Sequence, residues 1–127
     1  MICITGERYN KRFKETIRSL LLKYKPEKVL VGDCSGVDTS AKEVCIEEKI
    51  PYKIYKANWD LYGLSAGPRR NKEMIDENPS LVLAFHSNLK SSKGTKNTIK
   101  MAKEKGIKVE IIEVTIESRE IIEETLW

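Results

Sequence analysis

Four short segments carry side chains suited to holding an anion. Thr5-Gly6-Glu7-Arg8 pairs a glycine, past which a backbone can approach a phosphate closely, with an arginine able to fork onto phosphate oxygens. By itself this is also the composition of a plain turn with a surface arginine. Gly32-Asp33-Cys34-Ser35-Gly36-Val37-Asp38 leads into a helical pattern. A helix start presents unpaired N–H groups and the positive end of the dipole, both favourable to anions. Ser35 there suits a helix cap or a hydrogen bond to a ligand. Asp38 has two readings: a complement to the positive helix end, or an acceptor for a ribose hydroxyl or a base amine. The spacing matches neither the dinucleotide-binding Gly-x-Gly-x-x-Gly pattern nor a P-loop.

Ala66-Gly67-Pro68-Arg69-Arg70-Asn71 opens a third helical stretch. Two arginines at a helix start oppose the macrodipole, and an anion meeting one of them would offset this. Arg70 is the expected ligand arm. Trp59 suits stacking on a base, covering a pocket or filling core. Ser91-Ser92-Lys93-Gly94-Thr95 opens a fourth stretch, again with small hydroxyl residues and a glycine where phosphate is favoured. Thr95 also falls on the apolar face, so its hydroxyl has a capping role as the alternative. Lys96, Lys100 and Lys103 form a basic stripe of the kind that is usually solvated surface. His86 is the only histidine and no Cys-x-x-Cys pair occurs, so neither a metal site nor a cofactor is expected. His86 is assigned no role.

The elements that must position these loops alternate regularly. Strands are expected at Ile2–Ile4, Val29–Val31, Tyr52–Tyr55, Leu81–Phe85 and Lys108–Val114. Between them, apolar residues recur at helical spacing: Phe13, Ile17, Leu20, Leu21 and Tyr24; Val37, Ala41, Val44 and Cys45; Met74 and Ile75 in a helix starting at Pro68; and Thr95, Thr98, Ile99, Ala102 and Gly106. Residues 56–67 show no clean period. Strands apolar throughout, alternating with helices, predict an α/β fold with a five-stranded parallel sheet covered on both faces. Such sheets bind ligands at the carboxyl ends of their strands, near the switch in strand order. The loops Thr5–Asn10, Gly32–Asp38, Lys56–Arg70 and His86–Thr95 all follow a strand and are expected on one rim. Residues 113–127 are expected to add a strand end and a helical tail. Its stripe of Ile121, Ile122, Thr125 and Leu126 either folds back on the domain or forms a dimer contact ending in Trp127.

Composition narrows the classes. The 127 residues suit one domain, 40% are hydrophobic and 33% charged, and the net charge is +4. That charge favours an anionic ligand without demanding nucleic acid, and the loops lack interleaved aromatic and basic residues. Cys3, Cys34 and Cys45 lie in or beside apolar runs and read as buried free thiols. No leader or membrane-length apolar run is evident, so a cytoplasmic protein is expected.

Taken in order, the motifs resemble the YspA-like branch of the SLOG superfamily. The match comprises Thr5-Gly6-x-Arg8, Gly32-x-x-x-Gly36-x-Asp38, Trp59-x-x-x-Gly63-x-x-Ala66-Gly67-Pro68-x-Arg70-Asn71-x-x-Met74, Ala84-Phe85, Ser92-x-Gly94-Thr95, and Ala102 with Gly106-Ile107-x-Val109. It covers residues 1–112 and is most distinctive in its middle segment. The resemblance implies a Rossmann-like fold, frequent homodimers and a nucleotide-derived ligand. The implied ligand contacts are Thr5, Gly6, Arg8, Gly32, Ser35, Gly36, Asp38, Trp59, Gly67, Arg70, Asn71, Ser92, Lys93, Gly94 and Thr95. Related phosphoribohydrolases cleave a base from a nucleoside monophosphate and carry Gly-Gly-x-Gly-Thr-x-x-Glu. Here Ser91 and Ser92 replace the leading glycines, and Thr98 stands where the catalytic glutamate would be. A threonine is no general acid or base near neutral pH.

Two functions follow as expectations. One is a module that binds a phosphorylated adenosine, ADP-ribose or cyclic-nucleotide type of molecule, as sensor or sequestering protein in prokaryotic or phage nucleotide signalling. The alternative is a nucleotide N-glycoside hydrolase with a non-standard carboxylate, for which Asp38 and Glu7 are the candidates and Asp33 and Asp60 weaker ones.

Overall fold

The computed structural model describes residues 1–8, 12–87 and 92–113, with the backbone alone of residue 114 and of residues 121–126. Its frame is a sheet in the order β3-β2-β1-β4-β5-β6. The strands are β1 (Ile2–Gly6), β2 (Val29–Val31), β3 (Tyr52–Ile54), β4 (Leu81–His86), β5 (Lys108–Val114) and β6 (Ile121–Leu126). The first five are mutually parallel, as expected; Ile2 sits between Val29 and Leu81 in register. Strand order runs outward one way from β1 to β3 and the other way through β4 and β5. The switch point is therefore the gap between the carboxyl ends of β1 and β4.

The apolar strands are explained by burial on both faces. On one face, α1 (Lys14–Tyr24) and α2 (Val37–Glu47) place Ile17, Leu21, Ala41 and Val44 against Ile2, Ile4, Val29, Val31, Leu83 and Phe85. On the other, α4 (Ala66–Asp76) and α5 (Lys93–Glu104) place Met74, Ile75, Ile99 and Ala102 against Cys3, Leu30, Val82, Ala84 and Val109. Alternate strand residues thus serve opposite cores, as the two-residue period of a strand requires.

Several expected boundaries shift. The third predicted helix starts at Ala66, not Pro68; a proline is tolerated throughout the first turn, where no intrahelical acceptor awaits its nitrogen. Residues without a clean period hold a short helix α3 (Trp59–Tyr62), in which Asn58 Oδ1 accepts from the N–H of Leu61 at 3.1 Å, and a 3₁₀ turn at Gly63–Ser65. Helix α5 ends at Glu104, and Gly106, expected on its apolar face, instead lies beyond it with a φ of 72°.

The helical tail is overturned. Residues Ile121–Leu126 form β6, antiparallel to β5, with Val114 opposite Ile121 and Val109 opposite Leu126. Three apolar residues and a threonine in six positions are too few to separate the two periods. β-Branched Ile121, Ile122 and Thr125 favour a strand, and β5 would otherwise expose an unpaired edge. Trp127 and its suggested dimer contact lie outside the described residues. Among the described residues, no helix is long and apolar enough to cross a membrane.

Candidate functional site

A cavity of about 410 Å³ opens at the carboxyl ends of β1 and β4. Ten of the expected ligand residues line it: Thr5, Gly6 and Arg8 after β1, Asp38 at the start of α2, Arg70 and Asn71 on α4, and Ser92, Lys93, Gly94 and Thr95 at the start of α5. Gly32, Ser35, Gly36, Trp59 and Gly67 do not. Glu7, Cys34 and His86, which belong to the loops expected on this rim but not to the expected ligand contacts, line it as well.

The glycines outside the wall have packing roles. A Cβ on Gly32 would lie 2.4 Å from Arg70 Nη1 and 2.7 Å from Asp38 Oδ2, so this glycine makes room for both charged groups. Gly36 has φ 85° and ψ −121°, a conformation open in practice only to glycine, and it is Gly36 rather than Ser35 that stands at the N-cap of α2. A Cβ on Gly67 would meet the Trp59 ring at 3.3 Å. Gly6 lines the cavity but is also packed: its Cβ would fall 2.4 Å from the Phe85 carbonyl oxygen and 2.6 Å from Val37 Cγ2. Gly94 meets nothing and leaves its backbone approachable.

Arg70 has a different setting from the one its position suggested. With α4 starting at Ala66, it is the fifth helical residue, past the turn where the dipole opposes a cation. Its side chain is only 7% exposed. Nη1 donates to Asp33 Oδ1 at 2.9 Å and to the Tyr55 carbonyl at 3.4 Å, and Nε donates to Asn71 Oδ1 at 2.8 Å. Its charge is therefore already met by a carboxylate, and one edge of it faces the cavity. Arg69 is exposed and lies over the Tyr62 ring at 4.2 Å.

Asp38 is buried, and its Oδ2 accepts from the N–H of Cys34 at 3.0 Å. Burial pushes its pKa up to about 6, against the lowering effects of that N–H and of the Arg70 guanidinium. Glu7 is buried across the switch point. Its Oε2 accepts from the N–H and hydroxyl of Ser87 at 3.2 and 2.5 Å, with Arg12 Nε 3.6 Å from Oε1. His86, at the end of β4, sits with Nδ1 3.9 Å from Glu7 Oε2. Burial lowers its pKa despite the raising effects of the Glu7 and Glu113 carboxylates. Asp33 and Asp60 do not line the cavity.

The start of α5 is organised by its own side chains. Ser92 Oγ accepts from the N–H of Thr95 at 3.1 Å. Asn71 Nδ2 donates to the Gly94 carbonyl at 3.4 Å, tying α4 to this turn. The remaining first-turn amides have no intrahelical acceptor. Thr98 is fully buried, donates to the Gly94 carbonyl at 3.3 Å and does not line the cavity. Arg8 is exposed at the mouth, its guanidinium 5.7 Å from the centre of the Trp59 ring. Trp59 is half-exposed, which removes the reading of it as core.

Cys3 and Cys45 are buried, and burial raises their thiols to about 12 and about 11. Cys34 is only half-buried and faces the cavity, contrary to expectation. The sequence reading took Cys34 for a buried thiol and, as a lone histidine, gave His86 no role. Their adjacency to a strand's carboxyl end was the available signal. No group of three or more His, Cys, Asp or Glu among the described residues could hold a metal ion. In comparison with known proteins, no family model matches the chain and no curated protein matches it in sequence.

Proposed function

We propose that this cavity binds a phosphorylated, nucleotide-derived small molecule, and that the chain acts in the cytoplasm as a sensor or sequestering protein of the SLOG type. The observation that carries this is the polarity of the cavity wall. One side is the start of α5 with Ser92, Lys93 and Gly94, and Arg8 lines the cavity as well. These suit a phosphate. Asp38 and Glu7 offer carboxylate acceptors suited to ribose hydroxyls or a base amine. A volume of about 410 Å³ falls in the range of small-molecule sites.

The test is mass spectrometry of small molecules released from the purified, denatured protein, followed by calorimetry with the molecule found. A phosphorylated nucleoside derivative bound tightly by the wild type, and at least about tenfold more weakly by Lys93→Glu, supports the reading. Absence of any such molecule, together with no binding across a panel of adenosine phosphates, ADP-ribose and cyclic nucleotides, rejects it.

One observation favours hydrolysis as a second reading. Asp38, with its pKa raised to about 6, is a carboxyl group that exchanges a proton near neutral pH, as a general acid must. Recovery of free base and sugar phosphate instead of intact nucleotide, abolished by Asp38→Asn, would establish it.

A further inference from the structure

Glu7 and His86 line the cavity from neighbouring strands, and neither is among the contacts that the family resemblance implies. The backbone of Glu7 is fixed on both sides. Its N–H donates to the Phe85 carbonyl at 3.0 Å, and its carbonyl accepts from the N–H of Val37 at 3.1 Å. Its side chain is 9% exposed. Oε2 is held by Ser87, whereas Oε1 is buried and accepts no hydrogen bond among the described residues. The cation beside it, Arg12 with Nε at 3.6 Å, belongs to a side chain that is 44% exposed. A buried carboxylate in this setting favours a further cation close by.

His86 is placed to become one. Its Nδ1 lies 3.9 Å from Glu7 Oε2, too far for a hydrogen bond and near enough for an ion pair once the ring is protonated. Glu113, its register partner on β5, adds a second carboxylate. Burial outweighs both and holds the ring below its ordinary pKa. An anion in the cavity would reverse that balance. His86 ends β4, Ser92 caps α5 after the intervening loop, and both line the cavity together with Lys93. A unit negative charge about 8 Å from the ring moves its protonation by roughly one to two pH units at the effective dielectric of a partly buried site.

We infer that His86 is a ligand-binding residue that takes up a proton when an anion enters the cavity, the imidazolium then standing between that anion and the Glu7 carboxylate. The inference rests on the anion reading of the cavity and adds to it a residue and a pH dependence. Arg8, Arg70 and Lys93 on the cavity wall are cations throughout the neutral range, so they attract an anion at any pH within it. The histidine adds attraction only as pH falls. Binding therefore tightens through the interval in which the ring is neutral in the empty cavity and charged in the occupied one. Asp38 titrates in the same cavity, so the histidine must be observed directly.

His86 is the only histidine in the chain, so its ring proton gives a single NMR signal to follow. The experiment is its titration between about pH 5 and 8 in the full chain, in sodium sulfate and in sodium chloride of equal ionic strength. Sulfate carries the charge of a phosphate dianion and does not itself titrate in this range. The expected result is a midpoint higher in sulfate by at least about one pH unit, a rise lost in Lys93→Glu, and a midpoint lowered in both salts by Glu7→Gln. An unchanged midpoint in sulfate, while the backbone amides of Lys93 and Gly94 shift, would overturn the inference and leave the anion site standing. Amides indifferent to sulfate would remove the anion site and the inference with it. A rise that persists in Lys93→Glu, or a midpoint insensitive to Glu7→Gln, would also overturn it.

Discussion

Replacing Arg70 by alanine separates two roles that the sequence alone could not. A pure ligand arm could be removed with little effect on the unliganded protein. The structure instead places its guanidinium, only 7% exposed, between Asp33, Asn71 and the Tyr55 carbonyl, with Asp38 nearby. Breaking a fully buried ion pair costs about 3–5 kcal/mol, largely because the remaining charge is stranded. Asp33 is 31% exposed, so water compensates part of its loss. The expected destabilisation is therefore about 2–3 kcal/mol, or roughly 8–12 °C in Tm for a domain of this size. Lysine should recover less than half, since one ammonium cannot reach three acceptors set out for a planar fork. The assay is urea unfolding of the ligand-free protein at pH 7, monitored by tryptophan fluorescence and circular dichroism together. An Arg70→Ala midpoint within about 0.5 kcal/mol of wild type would refute the reasoning. It would mean that the contacts of Arg70 with Asp33, Asn71 and Tyr55 add nothing to the stability of the fold.

Asp38→Asn should stabilise the ligand-free fold at neutral pH. The folded-state pKa of Asp38 is raised to about 6, so the native protein holds this proton more tightly than the unfolded chain does. Its contribution is favourable below pH 4 or so and is lost as pH rises through about 6, a difference of about 2–3 kcal/mol from the shift alone. The asparagine variant should gain about 1–2 kcal/mol at pH 7, after allowance for the weaker acceptor facing Cys34, and should lose this slope between pH 4 and 6. Unfolding curves across that range check both, and an unchanged slope would contradict the assignment. Gly6→Ala should destabilise by about 1–3 kcal/mol, because the added methyl meets the backbone oxygen of Phe85 and the buried Val37. A thermal melt matching wild type would show that the β1–β4 junction yields more easily than its packing implies.

Much of the architecture was legible because burial on both faces writes itself into composition. Strands β1, β2 and β4 read as unbroken apolar runs, and the helices between them show their one apolar face. The loops at the carboxyl ends followed from that alternation, and with them ten of the residues that line the cavity. Local pattern could not decide β6. Its few apolar residues fit either period, and the deciding factor was the unpaired edge of β5, which no pattern within residues 121–126 records. The roles of the charged residues were equally hidden. The sequence shows that Arg70, Asp33 and Asp38 exist, but only the packing of α4 across the ends of β2 and β3 puts the arginine between carboxylates and makes Gly32 the space they share. Glu7 and His86 meet because β1 and β4 are neighbours at the switch point, although 78 residues of chain lie between them. Periodicity reports which face of an element is dry; which charges end up sharing that dryness is set by tertiary contacts alone.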